Sequence, residues 1–214
     1  MREPPPERVH RTVSSGSPRW VIETGEAASD RGEDRLFVEA GADPIIGLAD
    51  GAGGRGRGAA AAEAVIEAVR RSPPAFEVEA VAALVEVDEA LPMAGGETTG
   101  IVLRVTASGM VTGASVGDSQ AFVRRGDDWL ELTAGQSRKP RLGNGGVPIP
   151  FRTTGVDAVL IGTDGLFKYA PWPRIVAFTE ADRPDAAKCL LDDLRLPSGA
   201  LRDDVAFALL RRER

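Results

Sequence analysis

Histidine, cysteine and tyrosine each occur once in this 214-residue chain, and aromatic residues make up only 5% of it. The one histidine, His10, lies in a Pro- and Ser-rich opening stretch. A lone histidine there argues against histidine-based general catalysis, Ser-His-Asp triads and zinc sites. Cys189 has no partner for an internal disulfide. No apolar run approaches a membrane span, and the opening "MREPPPERVHRTVSSGSPRW" lacks the apolar core of a signal peptide. The expectation is a cytoplasmic chain. Excess positive charge is missing too. The net charge is −6, so a basic nucleic-acid footprint is not expected. The remaining composition, 43% hydrophobic and 27% charged, suits a globular domain with a full core. Any metal here should be a hard cation held by oxygens.

Residues 1–18 read as a disordered tail, and residues 19–214 as one domain. "WVIET", "RLFVEA" and "PIIGLA" read as strands. "GRGAAAAEAVIEAVRR" is a helix of high propensity, and a second helix follows "SPP". The two, over 57–71 and 77–90, read as outer covers for a sheet. From "TGIVL" to "WLELT" the pattern becomes β-type, broken at "ASG", "GDS" and "RGDD", and reads as an antiparallel meander. "RKPRLGNGGVPIPF" reads as loop. "DAVLIGT" is a buried strand, two helices follow, and "DVAFALLRR" closes the chain as a strand. Strands, two helices, strands, two helices and a strand is an α+β order with antiparallel sheets, not the steady alternation of a dinucleotide domain.

That order bears on "LADGAGGRGRG", where Gly51, Gly53 and Gly56 spell G-x-G-x-x-G. A dinucleotide turn places phosphate on a helix N-terminus. Asp50 would put a like charge beside it, at a cost of roughly 4 kcal/mol for unit charges about 4 Å apart. No second strand ends in an acid about 20 residues on, as such a site requires. The glycines fit better around something cationic. Acids at strand ends recur: Asp164 in "LIGTDGLF", Asp203 and Asp204 in "RDDVAFALL", Asp118 in "VGDSQAFV", and Glu33 and Asp34 in "GEDRLFV". Taken singly, each also reads as turn chemistry, and Asp34 also fits a pairing with Arg35. Together they suggest one rim where two hard cations, about 3.5–4 Å apart, would offset the mutual repulsion and serve displacement at phosphorus.

With those residues in view, the sequence resembles the metal-dependent PP2C (PPM) serine/threonine phosphatases, especially compact bacterial members. "GEDRLFV", "LADGAGG", "GETTGIVL", "VGDSQAFV", "LIGTDGLFKY" and "RDDVAFALL" are similar to the family's motifs, in the family's order, from about Thr24 to Arg212. The resemblance implies an α/β/β/α four-layer sandwich with two central antiparallel sheets. It implies a Mg²⁺ or Mn²⁺ pair with Asp50 on both ions, the Gly51 carbonyl on one, and Asp164 and Asp203 completing the other. Glu33 and Asp34 would act through water, and Asp118 matches a position that can hold a third, looser ion. The implied activity is hydrolysis of phosphoserine or phosphothreonine in proteins by metal-activated water, with a phosphorylated protein as substrate, a cognate Ser/Thr kinase as partner, and a monomeric chain.

The chain departs from the family at Ser29, where many members carry the arginine that clamps the substrate phosphate. Arg31 and Arg35 are the candidate replacements, neither in register. Gln120 replaces the arginine of Gly-Asp-Ser-Arg, Ala52 stands where some members have histidine, and the mobile flap after "ELTAGQS" is missing or minimal. Ser29 motivates the alternative reading, a catalytically impaired PP2C-fold protein that binds a phosphoprotein or kinase without turnover. Smaller features have plainer readings. Cys189 reads as a core residue, Trp172 as packing at a helix start, and Arg138, Lys139 and Arg141 as a solvated basic loop. Arg55 and Arg57 read equally as a solvent-facing helix start and as phosphate contacts.

Overall fold

The computed structural model describes residues 7–53, 56–180 and 185–213. Two antiparallel sheets lie face to face, with helices on both outer sides. In chain order the elements begin with β1 (Arg8–Val13), β2 (Trp20–Ala27), β3 (Asp34–Glu39) and β4 (Ile45–Ala52), followed by α1 (Arg57–Arg71) and α2 (Glu77–Ala94). Next come β5 (Glu97–Thr98), β6 (Gly100–Val105), β7 (Val111–Val116), β8 (Gln120–Arg125), β9 (Asp128–Glu131), β10 (Ile149–Thr153) and β11 (Ala158–Gly162). The chain closes with α3 (Asp164–Phe167), α4 (Trp172–Glu180), α5 (Ala186–Leu194) and β12 (Val205–Arg212). One sheet runs β1-β2-β12-β11-β8-β9; the other runs β10-β7-β6-β4-β3, with β5 paired to the end of β4.

Three apolar layers hold the four structural layers together. Between the sheets, Ile22, Leu48, Ile101, Leu103, Val123 and Ile161 are sealed from water. Ala61, Val65, Val69 and Leu84 seat α1 and α2 on β4, β6 and β7. Leu166, Ile175, Leu190 and Leu191 seat the C-terminal helices on β2, β11 and β12. Strands covered on both faces carry continuous apolar runs rather than alternation, as β11 does. The sandwich expected from the sequence is the architecture observed.

Three local expectations are corrected. The stretch 1–18 is not a tail throughout: Arg8–Val13 pairs along β2 from Arg8↔Glu26 to Val13↔Val21. All six of its residues are exposed, so backbone pairing holds this edge strand and no apolar pattern announces it; residues 1–6 lie outside the described residues. The expected meander is divided, because β6 and β7 belong to one sheet while β8 and β9 belong to the other. Gly117, Asp118 and Ser119 carry the chain across. Finally, β10 arises inside the stretch read as loop and pairs with β7.

Candidate metal centre

The crossover that divides the meander also brings the acids together. Asp34 and Asp50 are direct cross-strand partners on β3 and β4. Gly162 at the end of β11 stands opposite Gln120 on β8 and Phe207 on β12. Asp164, just past β11, Asp118, just before β8, and Asp203, just before β12, therefore share one end of the sandwich. The sheets are tied there by Thr163, whose hydroxyl donates to Asp34 Oδ2 at 2.7 Å and accepts Ala206 N–H at 3.1 Å.

The backbone around Asp50 is fixed before its carboxylate does anything. Its N–H donates to Thr99 Oγ1 at 2.9 Å, and its carbonyl accepts Thr99 N–H at 2.9 Å and the Thr98 hydroxyl at 3.1 Å. Thr99 Oγ1 also meets Ser119 Oγ at 2.7 Å, linking the Asp50 and Asp118 turns. Gly51 has to be glycine: a Cβ there would stand 2.1 Å from the Gly58 carbonyl oxygen. Glu33 is buried, with its carboxylate against the first turn of α1, where Oε1 would lie 2.4 Å from a Cβ on Gly58. The position that a dinucleotide phosphate would need is thus filled by the chain's own acid.

Electrostatically, the acids are costly as placed. Burial and the neighbouring Asp50 charge push Asp34 well above the ordinary carboxyl range, against the opposing Thr163 hydrogen bond. Asp50 is pushed up to about 7, chiefly by burial; Arg141 opposes the shift, while Asp164, Asp118 and Asp203 add to it. Asp164 is raised by burial and then by Asp118 and Asp203. Carboxyls that resist ionising side by side, with hard oxygen donors and no histidine or thiol among them, are suited to divalent cations such as Mg²⁺ or Mn²⁺. Among the described residues, no three of these groups are already drawn into a closed ligand set. They line a rim, beside a cleft of about 310 Å³ bordered by Asp118, Gln120, Arg138, Asp164 and Lys168.

The arginines near the rim are held in different ways. Arg31 is exposed. Arg35 is engaged away from the rim, with Glu63 at 3.0 Å and the carbonyls of Gly32 and Asp34 at 2.9 and 2.7 Å. Arg141, read from the sequence as part of a solvated loop, is largely buried instead. Its Nη2 lies 3.1 Å from Asp118 Oδ1 and 4.0 Å from Asp50 Oδ2. Arg57 reaches the Gly53 carbonyl at 3.3 Å, and Arg55 lies outside the described residues. Asp204 turns inward rather than to the rim. It accepts Ser29 N–H and Glu33 N–H at 2.6 Å each and the Ser29 hydroxyl at 2.8 Å. Two acids adjacent in sequence thus take different tasks, and only their burial separates them. Cys189 is half-buried on α5, not a core residue. Trp172 does pack the start of α4, against Phe122 at 4.4 Å and Trp129 at 5.8 Å between ring centroids.

This architecture is that of the PP2C-type phosphatases. The Mycobacterium tuberculosis serine/threonine phosphatase PstP/Ppp superposes with a TM-score of 0.78 at 17% identity, over 95% of this chain and 100% of that one. RsbX in complex with magnesium gives 0.77 at 16% identity, over 96% and 100%. The catalytic domain of PstP in complex with two manganese ions gives 0.73 at 17%, over 96% and 97%. No protein-family model and no curated protein matches the chain. At these identities the likeness is one of fold.

Proposed function

We propose that the chain is a metal-dependent phosphatase that hydrolyses phosphoserine and phosphothreonine in proteins, as a monomer in the cytoplasm, opposite a Ser/Thr kinase. The observation that carries this reading is the acidic rim itself. Asp34 and Asp50 come from paired strands of one sheet and Asp164 from the helical turn that follows β11 in the other, and burial and mutual charge hold all three above the ordinary carboxyl range. Two cations would be held by Asp50, the Gly51 carbonyl, Asp164 and Asp203, with Glu33 and Asp34 acting through water. When bound, such a pair supplies an activated water and neutralises the phosphoryl oxygens. The chain's own residues do the rest. Thr98 and Thr99 fix the Asp50 backbone, Thr163 orients Asp34, and the Asp118–Asp164 cleft admits a phosphate ester on an extended chain. The described helices are none of them long and apolar enough to cross a membrane.

A second reading has its own observation. Ser29 is bound to Asp204 and Arg35 to Glu63, so neither is free as a phosphate clamp, which favours a relative that binds a phosphoprotein or kinase without turnover. Hydrolysis of p-nitrophenyl phosphate with Mn²⁺, Mg²⁺ or EDTA separates the two. Turnover is expected with either metal, none in EDTA, and Asp164→Asn is expected to lose at least about a hundredfold, since a cation contributes several kcal/mol at the transition state. A folded, Mn²⁺-binding protein without turnover would select the binding-only reading.

A further inference from the structure

We propose that Arg141 is a built-in counter-ion that occupies Asp118, so that this chain holds two metal ions and carries its third positive charge on a side chain. The inference rests on the two-cation reading above. Arg141 Nη2 lies 3.1 Å from Asp118 Oδ1 and 4.0 Å from Asp50 Oδ2, and the three side chains are 16%, 14% and 17% exposed. A guanidinium does not lose its proton in a protein, so this charge is permanent. An ion ligated by Asp118 would meet it at close range with little water between, and the two cations would compete for one carboxylate.

The arginine is held in place by the fold rather than by its ion pair alone. Its neighbour Leu142 is fully buried under α1 and α2 and exchanges backbone hydrogen bonds with Thr98, at 3.1 and 3.0 Å. Thr98 and Thr99 are the residues that fix Asp50. Beyond Leu142, one oxygen of Asp88 on α2 accepts N–H groups of Gly143, Gly145 and Gly146 at 2.7, 3.2 and 3.1 Å. The segment is therefore clamped on the sheet side and on the helix side, and Arg141 emerges between the clamps. Arg138 also approaches Asp118, at 4.0 Å, but is 84% exposed. It cannot compete with a pre-positioned neighbour.

Two measurements test the assignment. In EDTA, melting curves of wild type, Arg141→Met, Asp118→Asn and the double variant report whether the two charges depend on each other. Arg141→Met is expected to lower the melting temperature by several degrees, and adding Asp118→Asn should return most of the loss; additive shifts would overturn the pairing. Calorimetric titration with Mn²⁺ then counts ions. Two are expected in wild type and still two in Asp118→Asn, whereas Arg141→Met gains a weak third that disappears in the double variant. If Asp118→Asn alone removes a binding event, Asp118 is a metal ligand and the proposal fails, whether or not Arg141→Met folds. Wild type that binds no Mn²⁺, with non-additive melts, would sink the phosphatase reading and leave the Arg141–Asp118 pair standing.

Discussion

Asp204 fastens the loop that carries Glu33 and Asp34 to the start of β12 through three short hydrogen bonds, and it does so while almost fully buried. Removing a buried carboxylate that receives several donors leaves those donors without partners. Asp204→Ala is expected to lower unfolding stability by about 2–4 kcal/mol, read as a shift in the urea midpoint, and to weaken Mn²⁺ binding because Asp34 loses its support. Ser29 belongs to the same clasp, which changes what its identity means. Ser29→Arg, the substitution that would imitate the family's phosphate clamp, deletes the hydroxyl bond to Asp204. It is expected to lower the melting temperature without lowering KM for an aryl phosphate; a clear fall in KM with unchanged stability would contradict this. The rim acids were legible in the sequence because each follows or precedes an apolar strand at a glycine or a turn residue. The clasp was not, because nothing in "RDDV" distinguishes the acid that faces outward from the one that faces inward. Arg141 was hidden for a related reason. In "SRKPRLGNGG" it is one of three basic residues in a row of loop-type residues, and only the long-range pairing of Leu142 with Thr98 turns it toward the rim.

Among the elements, α2 has a task beyond covering the sheet. Through Asp88 it gathers three N–H groups of one loop onto one oxygen, a small anion-holding nest built from Gly143, Gly145 and Gly146. Asp88→Ala is expected to cost about 2–3 kcal/mol, since hydrogen bonds to a charged acceptor contribute about 1.5–3 kcal/mol each and these three share one atom. It should also release the Arg141 segment, seen as faster amide exchange at Leu142 and Gly143; unchanged exchange there would show that the Thr98 pairing suffices. Strands with buried faces and the four longer helices were legible from periodicity and end signals, since burial on one or both faces writes itself into the sequence. What periodicity does not encode is which sheet a strand joins. The turn "GDS" after β7 has the same chemistry whether the chain doubles back or crosses to the facing sheet, and the crossing is what delivers Asp118 to the rim. β1 and β10 escaped for the complementary reason: both are edge strands with mostly exposed residues, β1 held by backbone pairing alone and β10 anchored in the core only through Phe151, too little to leave a repeating apolar signature.

For the molecule as a whole, the rim makes stability depend on pH and on metal in opposite ways. Asp34, Asp50 and Asp164 all have folded-state values above their ordinary carboxyl range, with Asp50 near 7 against 3.8. Between those two values the folded chain holds more protons than the unfolded one, so raising the pH favours unfolding. The advantage of the protonated rim is complete below the ordinary carboxyl value and is lost as pH rises through about 7. In EDTA the melting temperature is therefore expected to fall between about pH 5 and pH 8. A change of only about 2 kcal/mol corresponds to roughly 4–8 °C in a chain of this size. Asp50→Asn should flatten the curve, because an amide carries no proton to lose, and should raise the metal-free melting temperature at the alkaline end. Saturating Mn²⁺ should reverse the trend, since cations bind the ionised rim and must displace its protons, so that affinity climbs over the same interval. A metal-free curve that is flat across this range, or that rises in parallel for wild type and Asp50→Asn, would mean that the acids are solvated and apart. In that case their convergence could not supply a divalent-cation site at this end of the sandwich.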